Sequence, residues 1–503
     1  MDRRTFLKST TALGAVAVTG LPTIARAEPD PFVRLDATAQ ADLVRTGEVT
    51  PLELTDAAIK RIETLNPKLN AVIHTMFDDA REKAKGELPN GPFKGVPYLI
   101  KDLSDLEGEP TTFGSRLFAT NVADADAGAV ERAKESGVVI LGKTNTPEFG
   151  LLSTTESDLL GPAKNPWDIA KHTGGSSGGA GGAVASGMVP FAHASDGGGS
   201  IRIPASCGGL VGLKPSRGRL YTNKPPRTPA DISVELTVSR SVRDTAQMLN
   251  VSERKGDDKL FDPVGFVDGP STKRLKIGFT TQNFMNKDAA PDVKAALDAT
   301  AALCAELGHT VEETPQPLNG EEFLDHFMTI WAEGANQLVE NAWIVGLMQF
   351  RWVTAKTGLE DWTRGLADYF QQKTAAKPDA VDQALAYFKN MSDFYDPLFS
   401  KYDVFLTPTL RRSPLNLGEQ APSVDFETLF QSVTDYASYT PQYNAFGNPA
   451  ISLPLFTGAG SIPIGSQIAA PHGQEGRLLA LAYELEAARP WADRWPTVSA
   501  LNM

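Results

Sequence analysis

Short apolar runs alternate with amphipathic stretches along most of the chain. Runs such as "GVPYLI", "VVILGK" and "MVPFAHA" have the length and the aliphatic content of buried β-strands. Residues 37–66 instead repeat their apolar positions at helical spacing, and Thr50 with Glu53 supplies the two side chains of a helix-capping box. Strands that alternate with helices predict a layered α/β fold.

The alternation continues into the second half of the chain. Predicted strands over 271–281 and 308–314 flank a helix over 291–307, and three further strands precede a closing helix over 476–488. Residues 320–400 break this rhythm, because they are helical throughout and rich in Trp, Phe, Tyr and Met. No internal repeat or long linker divides the chain, so we predict a single domain over 28–503.

The first 27 residues are organised like an export signal. A twin arginine, Arg3 and Arg4, precedes the apolar run "ALGAVAVTGLP", and "ARA" supplies small residues at a cleavage site. The apolar run is too short to span a bilayer. We therefore predict a twin-arginine signal peptide over 1–27 and a periplasmic or secreted mature protein without membrane insertion. An uncleaved N-terminal helix is the alternative.

The charge and the cysteines narrow the function classes. The 503-residue chain has a net charge of −13. The predicted leader holds four basic residues and one acidic residue, so the mature chain carries −16, which opposes binding to nucleic acid or anionic membranes. Cys207 and Cys304 lack metal-ligand spacing, and we expect two free buried thiols rather than a disulfide.

A glycine-rich stretch over 174–200, "GGSSGGAGGAVASGMVPFAHASDGGGS", raises the question of chemistry. A phosphate-binding loop is disfavoured, because no Gly-x-x-x-x-Gly-Lys-Ser/Thr pattern occurs. Close packing of a helix on a strand would explain the glycines alone. A serine nucleophile is the other explanation, since Ser200 ends "DGGGS", whose bare N–H groups would form a nest for an oxyanion.

A serine nucleophile needs a base. None of the six histidines has the sequence context of a Ser-His-Asp triad: we expect His172 in a surface loop and His193 in the core. Lys101 ends the apolar stretch "GVPYLIK". Burial there would lower its pKa and let it act as a base, whereas a lysine with a buried stem and a solvated head is the alternative.

These motifs resemble the amidase signature family. The resemblance rests on "GVPYLIKDL", "LGKTNTPEF", "GGSSGG" and "SDGGGSIRIPASCGGLVGLKPSRGR", covers about residues 35–250 and resumes at "LTPT", "NAFGNPAISLP" and "IPIGSQIAA". It implies a single α/β/α sandwich around a large mixed β-sheet, with a core over about 65–250. It also implies hydrolysis of amide C–N bonds without a metal or organic cofactor. Segments 36–54 and 91–103 are similar to the 6-aminohexanoate-cyclic-dimer hydrolases.

By resemblance, Ser200 is the nucleophile, Ser176 follows a cis peptide bond and relays the proton, and Lys101 is the base. Ser195 stands where the family usually has threonine and keeps the hydroxyl. The resemblance assigns two further sets of residues. The oxyanion hole would be formed by the N–H groups of Gly197, Gly198, Gly199 and Ser200, and the supporting residues would be Ser177 at Lys101 and the loop braces Asp196 and Arg202.

The expected partner is a small-molecule amide substrate that is apolar, aryl or oligomeric. The helical segment 320–400 would help to wall the pocket, although for each single residue named in it plain helix packing is the preferred explanation: Phe327, Met328, Trp331, Trp343, Phe350 and Trp352. An esterase or urethanase with the same triad and a non-catalytic binding protein stay open, while the export signal opposes a transamidosome subunit. The sequence does not determine the oligomeric state, and a homodimer is one of the alternatives.

Overall fold

The strands of the computed structural model form a large mixed sheet and a smaller one. The structure describes residues 30–221, 230–257, 259–348 and 354–503, so the predicted signal peptide lies outside the described residues. In chain order, the strands are β1 (Val72–Thr75), β2 (Pro97–Lys101), β3 (Val139–Thr144), β4 (Glu156–Ser157), β5 (Gly161–Pro162), β6 (Lys164–Asn165), β7 (Asp168–His172), β8 (Phe191–Asp196), β9 (Val211–Lys214), β10 (Val234–Ser239), β11 (Lys276–Phe279), β12 (Thr310–Glu313), β13 (Val404–Pro408), β14 (Ala450–Thr457) and β15 (Pro463–Ala469).

Hydrogen bonding orders eight of these strands as β12-β11-β13-β15-β14-β9-β10-β8 and three more as β1-β3-β2. The pairs β11–β12 and β11–β13 are parallel, whereas the others in the large sheet are antiparallel. The predicted α/β class with a large mixed sheet is therefore confirmed. Strands β9 and β10 were not predicted: β9 is a four-residue run after the short helix Arg202–Gly208, and β10 follows a proline-rich stretch of sequence.

The helices cover the sheets and continue the alternation. In chain order they are α1 (Ala37–Arg45), α2 (Pro51–Leu69), α3 (Phe77–Lys85), α4 (Gly128–Glu135), α5 (Gly178–Ala185), α6 (Arg202–Gly208), α7 (Val242–Ser252), α8 (Pro291–Glu306), α9 (Gly320–Met348), α10 (Ala355–Gly358), α11 (Asp361–Ala376), α12 (Ala380–Lys389), α13 (Ser392–Lys401), α14 (Phe426–Tyr436), α15 (Pro441–Phe446) and α16 (Glu475–Ala488). None of the helices within the described ranges is long and apolar enough to cross a membrane.

A local sequence signal accounts for the start of α2. Thr50 and Glu53 form the predicted capping box there. The predicted helical segment 37–66 consists of two helices, because Gly47 turns the chain with φ +72° between α1 and α2. Residues 31–503 form one compact unit, and within it Cys207 and Cys304 are buried free thiols, as predicted.

Two strands from different sheets meet where the glycine-rich stretch folds. Strand β2 packs against β8, and the backbone N–H of Lys101 donates to His193 Nδ1 across this junction at 3.3 Å. Helix α5 runs from the Ser177 end of the stretch towards β8, and α5 and α6 pack together. The predicted helix and strand between Ser176 and Ser200 are thus confirmed as α5 and β8.

Candidate active site

Lys101 is delivered to the site by an entirely buried strand. Each residue of β2 is buried, and the lysine itself is 0% exposed. Its Nζ lies 2.7 Å from Ser176 Oγ and 2.9 Å from Ser195 Oγ. Burial lowers the pKa of Lys101 to about 7, against the opposing pull of the negative charges of Asp196 and Glu235. A lysine with this pKa is substantially neutral near pH 7 and can accept a proton.

Ser176 is presented to Lys101 by a tightly packed loop. The Gly175–Ser176 peptide bond is cis, and the loop leads directly into α5. A Cβ built on Gly175 would lie 2.2 Å from the carbonyl oxygen of Thr154, so no larger residue fits there. Gly175 therefore allows the Ser176 loop to lie directly against the backbone at Thr154.

The loop after β8 is held by a buried ion pair. The Asp196 carboxylate accepts the backbone N–H of Gly199 at 2.7 Å and of Ile201 at 3.1 Å. Both of its oxygens also accept from the Arg202 guanidinium, at 2.9 Å each. Although burial raises the pKa of Asp196, the charge of Arg202 holds it well below its usual range. Asp196 is therefore an anion that fixes the start of α6 and the loop that carries Ser200.

The expectation that four N–H groups are available to an oxyanion needs a correction. Gly199 donates its N–H to Asp196, so that group is already occupied. Gly199 also has φ +135°, and a Cβ there would lie 2.4 Å from Thr440 Oγ1. The N–H groups of Gly197, Gly198 and Ser200 form no hydrogen bond with the residues that the structure describes. Three donors rather than four remain beside the Ser200 hydroxyl, which likewise has no hydrogen-bond partner among those residues.

The support of Lys101 also differs from the prediction. Ser177 does not contact Lys101; its Oγ donates to the carbonyl oxygen of Ser195 at 3.2 Å and accepts the N–H of Ser195 at 3.3 Å. The side chain on Lys101 Nζ is that of Ser195. Ser177 therefore acts one step away, by fixing the backbone of the residue that contacts the lysine.

A cavity of about 580 Å³ opens beside Ser200 and Gly198. Among the described residues, no charged side chain lines it. Aromatic and aliphatic residues of α9, of α11, of the loop 150–153 and of the segment 433–441 dominate the walls: Leu151, Leu152, Phe323, Phe327, Met328, Trp331, Trp362, Val433 and Ala437 among them. Phe327 and Trp331 stack with ring centroids 5.6 Å apart. A cavity of this size and lining suits a small neutral apolar molecule.

The aromatic residues expected to wall the pocket divide into three groups. Phe327, Met328 and Trp331 line the cavity, as the wall hypothesis for the segment requires, although helix packing was the preferred explanation for each of them. Trp343 does not line it, because it lies on the same helix about three turns after Trp331 and is 63% exposed. Phe350 and Trp352 lie outside the described residues.

The histidines of the region lie away from Ser200. His193 is buried on β8, as expected. The expected surface position of His172 is wrong: it is 0% exposed, and its Nδ1 and Nε2 lie 2.8 Å and 3.1 Å from the backbone nitrogens of Gly174 and Leu415. A neutral ring accepts the N–H of one of these two residues. Burial lowers the pKa of His172 to about 3, so this ring is a neutral part of the loop structure. The described residues hold no cluster of three His, Cys, Asp or Glu side chains placed to ligate a metal.

The geometry has counterparts in known proteins. The Amidase family model matches residues 53–479. AmiC of Mycobacterium tuberculosis is 40% identical over 460 residues, covering 91% of this chain and 95% of AmiC. The 6-aminohexanoate-cyclic-dimer hydrolase of Pseudomonas sp. strain NK87 is 37% identical over 485 residues, covering 92% and 96%. A solved 6-aminohexanoate cyclic dimer hydrolase with bound substrate has a TM-score of 0.84 at 35% identity, covering 93% of this chain and 99% of that one. The chain belongs to the Amidase family and hydrolyses amide C–N bonds.

Proposed function

We propose that the enzyme works through an acyl-enzyme on Ser200, with Lys101 as base and Ser176 as proton relay. The observation that carries this proposal is the 2.7 Å contact between Lys101 Nζ and Ser176 Oγ in a fully buried setting. A lysine with a pKa of about 7 can take a proton from Ser176 while Ser176 takes one from Ser200. Rotation of the unbonded Ser200 side chain onto Ser176 completes the relay, as catalytic contacts often close only with substrate bound.

The reaction then follows in two balanced halves. Ser200 Oγ attacks the amide carbon, and the oxyanion accepts hydrogen bonds from the free N–H groups of Gly197, Gly198 and Ser200. The relay returns the proton to the leaving nitrogen as the C–N bond breaks, which releases the amine and leaves an ester. Water, deprotonated through the same relay, hydrolyses that ester and regenerates the Ser200 hydroxyl.

The test compares alanine variants at Ser200, Ser176 and Lys101 with a matched control, Ser186→Ala. Ser186 is an equally buried serine at the end of α5, and its hydroxyl donates only to the Ala183 carbonyl. We expect each triad variant to lose at least about 10³-fold in kcat, because such groups act as a unit. Fluorophosphonate labelling of Ser200 should fall in parallel. Undiminished turnover in Ser200→Ala would refute the mechanism, and matched ester and carbamate substrates distinguish an amidase from an esterase or urethanase.

For the substrate, we propose a neutral amide with an apolar acyl group, such as an aryl, medium-chain or cyclic oligoamide. The described residues that line the cavity offer no opposite charge to an ionised substrate, whereas the Phe327–Trp331 stack offers a flat face. Built on Gly197, a Cβ would lie 3.4 Å from Trp331, so this ring covers the oxyanion loop. The cyclic-dimer hydrolases that the chain is similar to act on a neutral cyclic amide by name.

A tryptophan pair on α9 gives the test of this substrate class. Trp331→Ala should raise KM for aryl amides about tenfold or more, because a large apolar contact is lost. Trp343→Ala, on the same helix but 63% exposed, is the matched control and should leave KM unchanged. Equal effects of the two variants, or faster turnover of amides with a charged acyl terminus, would contradict the assignment.

We propose further that the chain is exported by its twin-arginine leader and works in the periplasm. The support is the order of the twin arginine, the apolar run and the small-residue cleavage site in residues 1–27. Replacing Arg3 and Arg4 by lysine keeps the charge and removes the pair. Cell fractionation should then move the activity to the cytoplasm, and an unchanged distribution would overturn the proposal.

A further inference from the structure

Glu235 lies behind the lysine, at the floor of a groove on the protein surface. It faces Ser195 across the β8–β10 pair, and Ser195 Oγ is the second contact of Lys101 Nζ. The groove is acidic, with Asp105, Asp124 and Asp126 in its walls. The Glu235 side chain is 25% exposed to solvent, whereas Lys101 is 0% exposed.

The Glu235 carboxylate lies against two side chains, those of Ser104 and His193, and both of these residues also hydrogen-bond the backbone of Lys101. Ser104 Oγ donates to its Oε1 at 2.5 Å, and the Ser104 N–H in turn donates to the carbonyl oxygen of Lys101 at 3.1 Å. On the other side, His193 Nδ1 accepts the Lys101 N–H, and His193 Nε2 lies 3.5 Å from Glu235 Oε1. One carboxylate therefore accepts a hydrogen bond from Ser104 and lies beside His193, the two residues that hydrogen-bond the backbone C=O and N–H of Lys101.

The tautomer of His193 follows from these contacts. Because Nδ1 accepts the Lys101 N–H, it carries no proton, and the proton of the neutral ring is on Nε2. Nε2 points at Glu235 and has no other partner among the described residues. Without the carboxylate, a ring nitrogen that is almost fully buried would have no acceptor at all.

Among the described residues, no arginine pairs with the charge of Glu235, in contrast to that of Asp196. The charged groups that face Lys101 are Asp196 from β8 and Glu235 from β10, with His193 as the other titratable side chain. The Lys143–Asp102 ion pair, at 3.4 Å, lies on the other face of β2, because Asp102 alternates with Lys101. Arg202 neutralises Asp196, whereas the partners of Glu235 among the described residues are the Ser104 hydroxyl, the His193 imidazole and, at longer range, the charge of Lys101. Although burial opposes it, these contacts and the Lys101 charge hold the pKa of Glu235 below its usual range.

We infer that Glu235, through Ser104 and His193, is a positioning residue for Lys101 that also sets the pH at which the lysine becomes a base. This inference rests on the proposed role of Lys101. The amine–carboxylate attraction favours the ammonium form, so the carboxylate makes the lysine a stronger base than burial alone would allow. Glu235 is partly exposed to solvent in the groove, whereas Asp196 is fully buried.

The test separates the charge of Glu235 from its hydrogen bonds. Glu235→Gln keeps an acceptor for Ser104 and removes the charge, so the acid limb of kcat/KM should move down by about one pH unit with the plateau largely kept. Glu235→Asp keeps the charge and shortens the reach, so the midpoint should stay and the plateau kcat should fall. Asp124→Asn removes an exposed carboxylate from the same groove and is the matched control, with neither change expected.

The outcomes distinguish this inference from the proposed function. An unshifted acid limb in Glu235→Gln, in a background where Lys101→Ala is inactive, overturns the role of Glu235 alone. An active Lys101→Ala overturns the proposed mechanism instead. If Glu235→Gln does not fold, Ser104→Ala decides, because it keeps the charge and breaks one contact. It should lower the plateau kcat several-fold without moving the midpoint, and a wild-type plateau would refute the positioning role.

Discussion

Replacing Arg202 by methionine should destabilise the enzyme more than any loss of a surface ion pair. The guanidinium is 0% exposed and donates to both Asp196 oxygens at 2.9 Å. It also donates to Gln467 Oε1 at 2.7 Å and to Asn444 Oδ1 at 2.6 Å. Methionine has a similar volume, so the main cost is a buried carboxylate without its cation, about 3–5 kcal/mol.

The sign of the pH dependence follows from the same charge. In the Arg202→Met variant, burial without the guanidinium should raise the pKa of Asp196 above its value in the unfolded chain. Asp196 then favours the folded state at a pH below the unfolded pKa, and this contribution is lost as the pH rises through the folded pKa. The stability deficit should therefore shrink on acidification. Asp196→Asn in the Arg202→Met background removes the unpaired charge and should recover about 1 kcal/mol or more.

Urea titrations followed by tryptophan fluorescence measure the loss, and the rate of fluorophosphonate labelling measures the geometry of Ser200. Arg34→Met is the control, because Arg34 pairs with Asp493 at 3.0 Å with side chains 58% and 96% exposed. This control should show no measurable change. Stability of Arg202→Met within 1 kcal/mol of wild type, or a double variant no more stable than the single one, would refute the reasoning.

Three further predictions address the site. The kcat/KM for a neutral amide should rise with pH with a midpoint of about 7, because only neutral Lys101 accepts a proton; a flat profile from pH 5 to 9 would exclude this base. Gly199→Ala should abolish activity, because its Cβ would lie 2.4 Å from Thr440 Oγ1. Gly198→Ala should fold normally and only narrow the cavity, because the nearest contact of its Cβ would be 3.5 Å. Melting curves and kinetics distinguish the two variants. Ser195→Thr should keep most of the activity and Ser195→Ala should lower kcat about tenfold, because the hydroxyl on Lys101 is kept in one and lost in the other.

The strands and the triad positions were accessible from sequence because they depend on local signals. An apolar run that ends in Lys101 and a glycine run that ends in Ser200 are visible without knowing which strands are neighbours. The 2.7 Å contact between Lys101 and Ser176 then follows from packing of β2 beside β8 and α5. The family resemblance supplied the pairing that periodicity alone cannot give.

The wrong predictions have a common physical cause, which is that they depend on contacts and not on local sequence. The resemblance assigned Ser177 to Lys101, whereas the hydroxyl on Nζ is that of Ser195, and only the direction of each side chain decides between them. The occupied N–H of Gly199 depends on where the Asp196 carboxylate turns. His172 lies against the distant residue Leu415, whose carbonyl oxygen accepts its backbone N–H at 3.2 Å, and this contact helps to bury it. Contacts between residues far apart in the chain leave no local trace in sequence.

Arg202 and Glu235 bear on the same lysine with opposite consequences. While Arg202 neutralises Asp196, the pull of that carboxylate on Lys101 is weakened, and burial dominates the pKa of the lysine. Removing Arg202 strengthens the pull and should move the acid limb of the folded variant to higher pH. Removing the charge of Glu235 should move it to lower pH. A merely structural role for either residue would change the amplitude of the profile in both variants and its midpoint in neither, so opposite shifts would show that the two carboxylates set the basicity of Lys101.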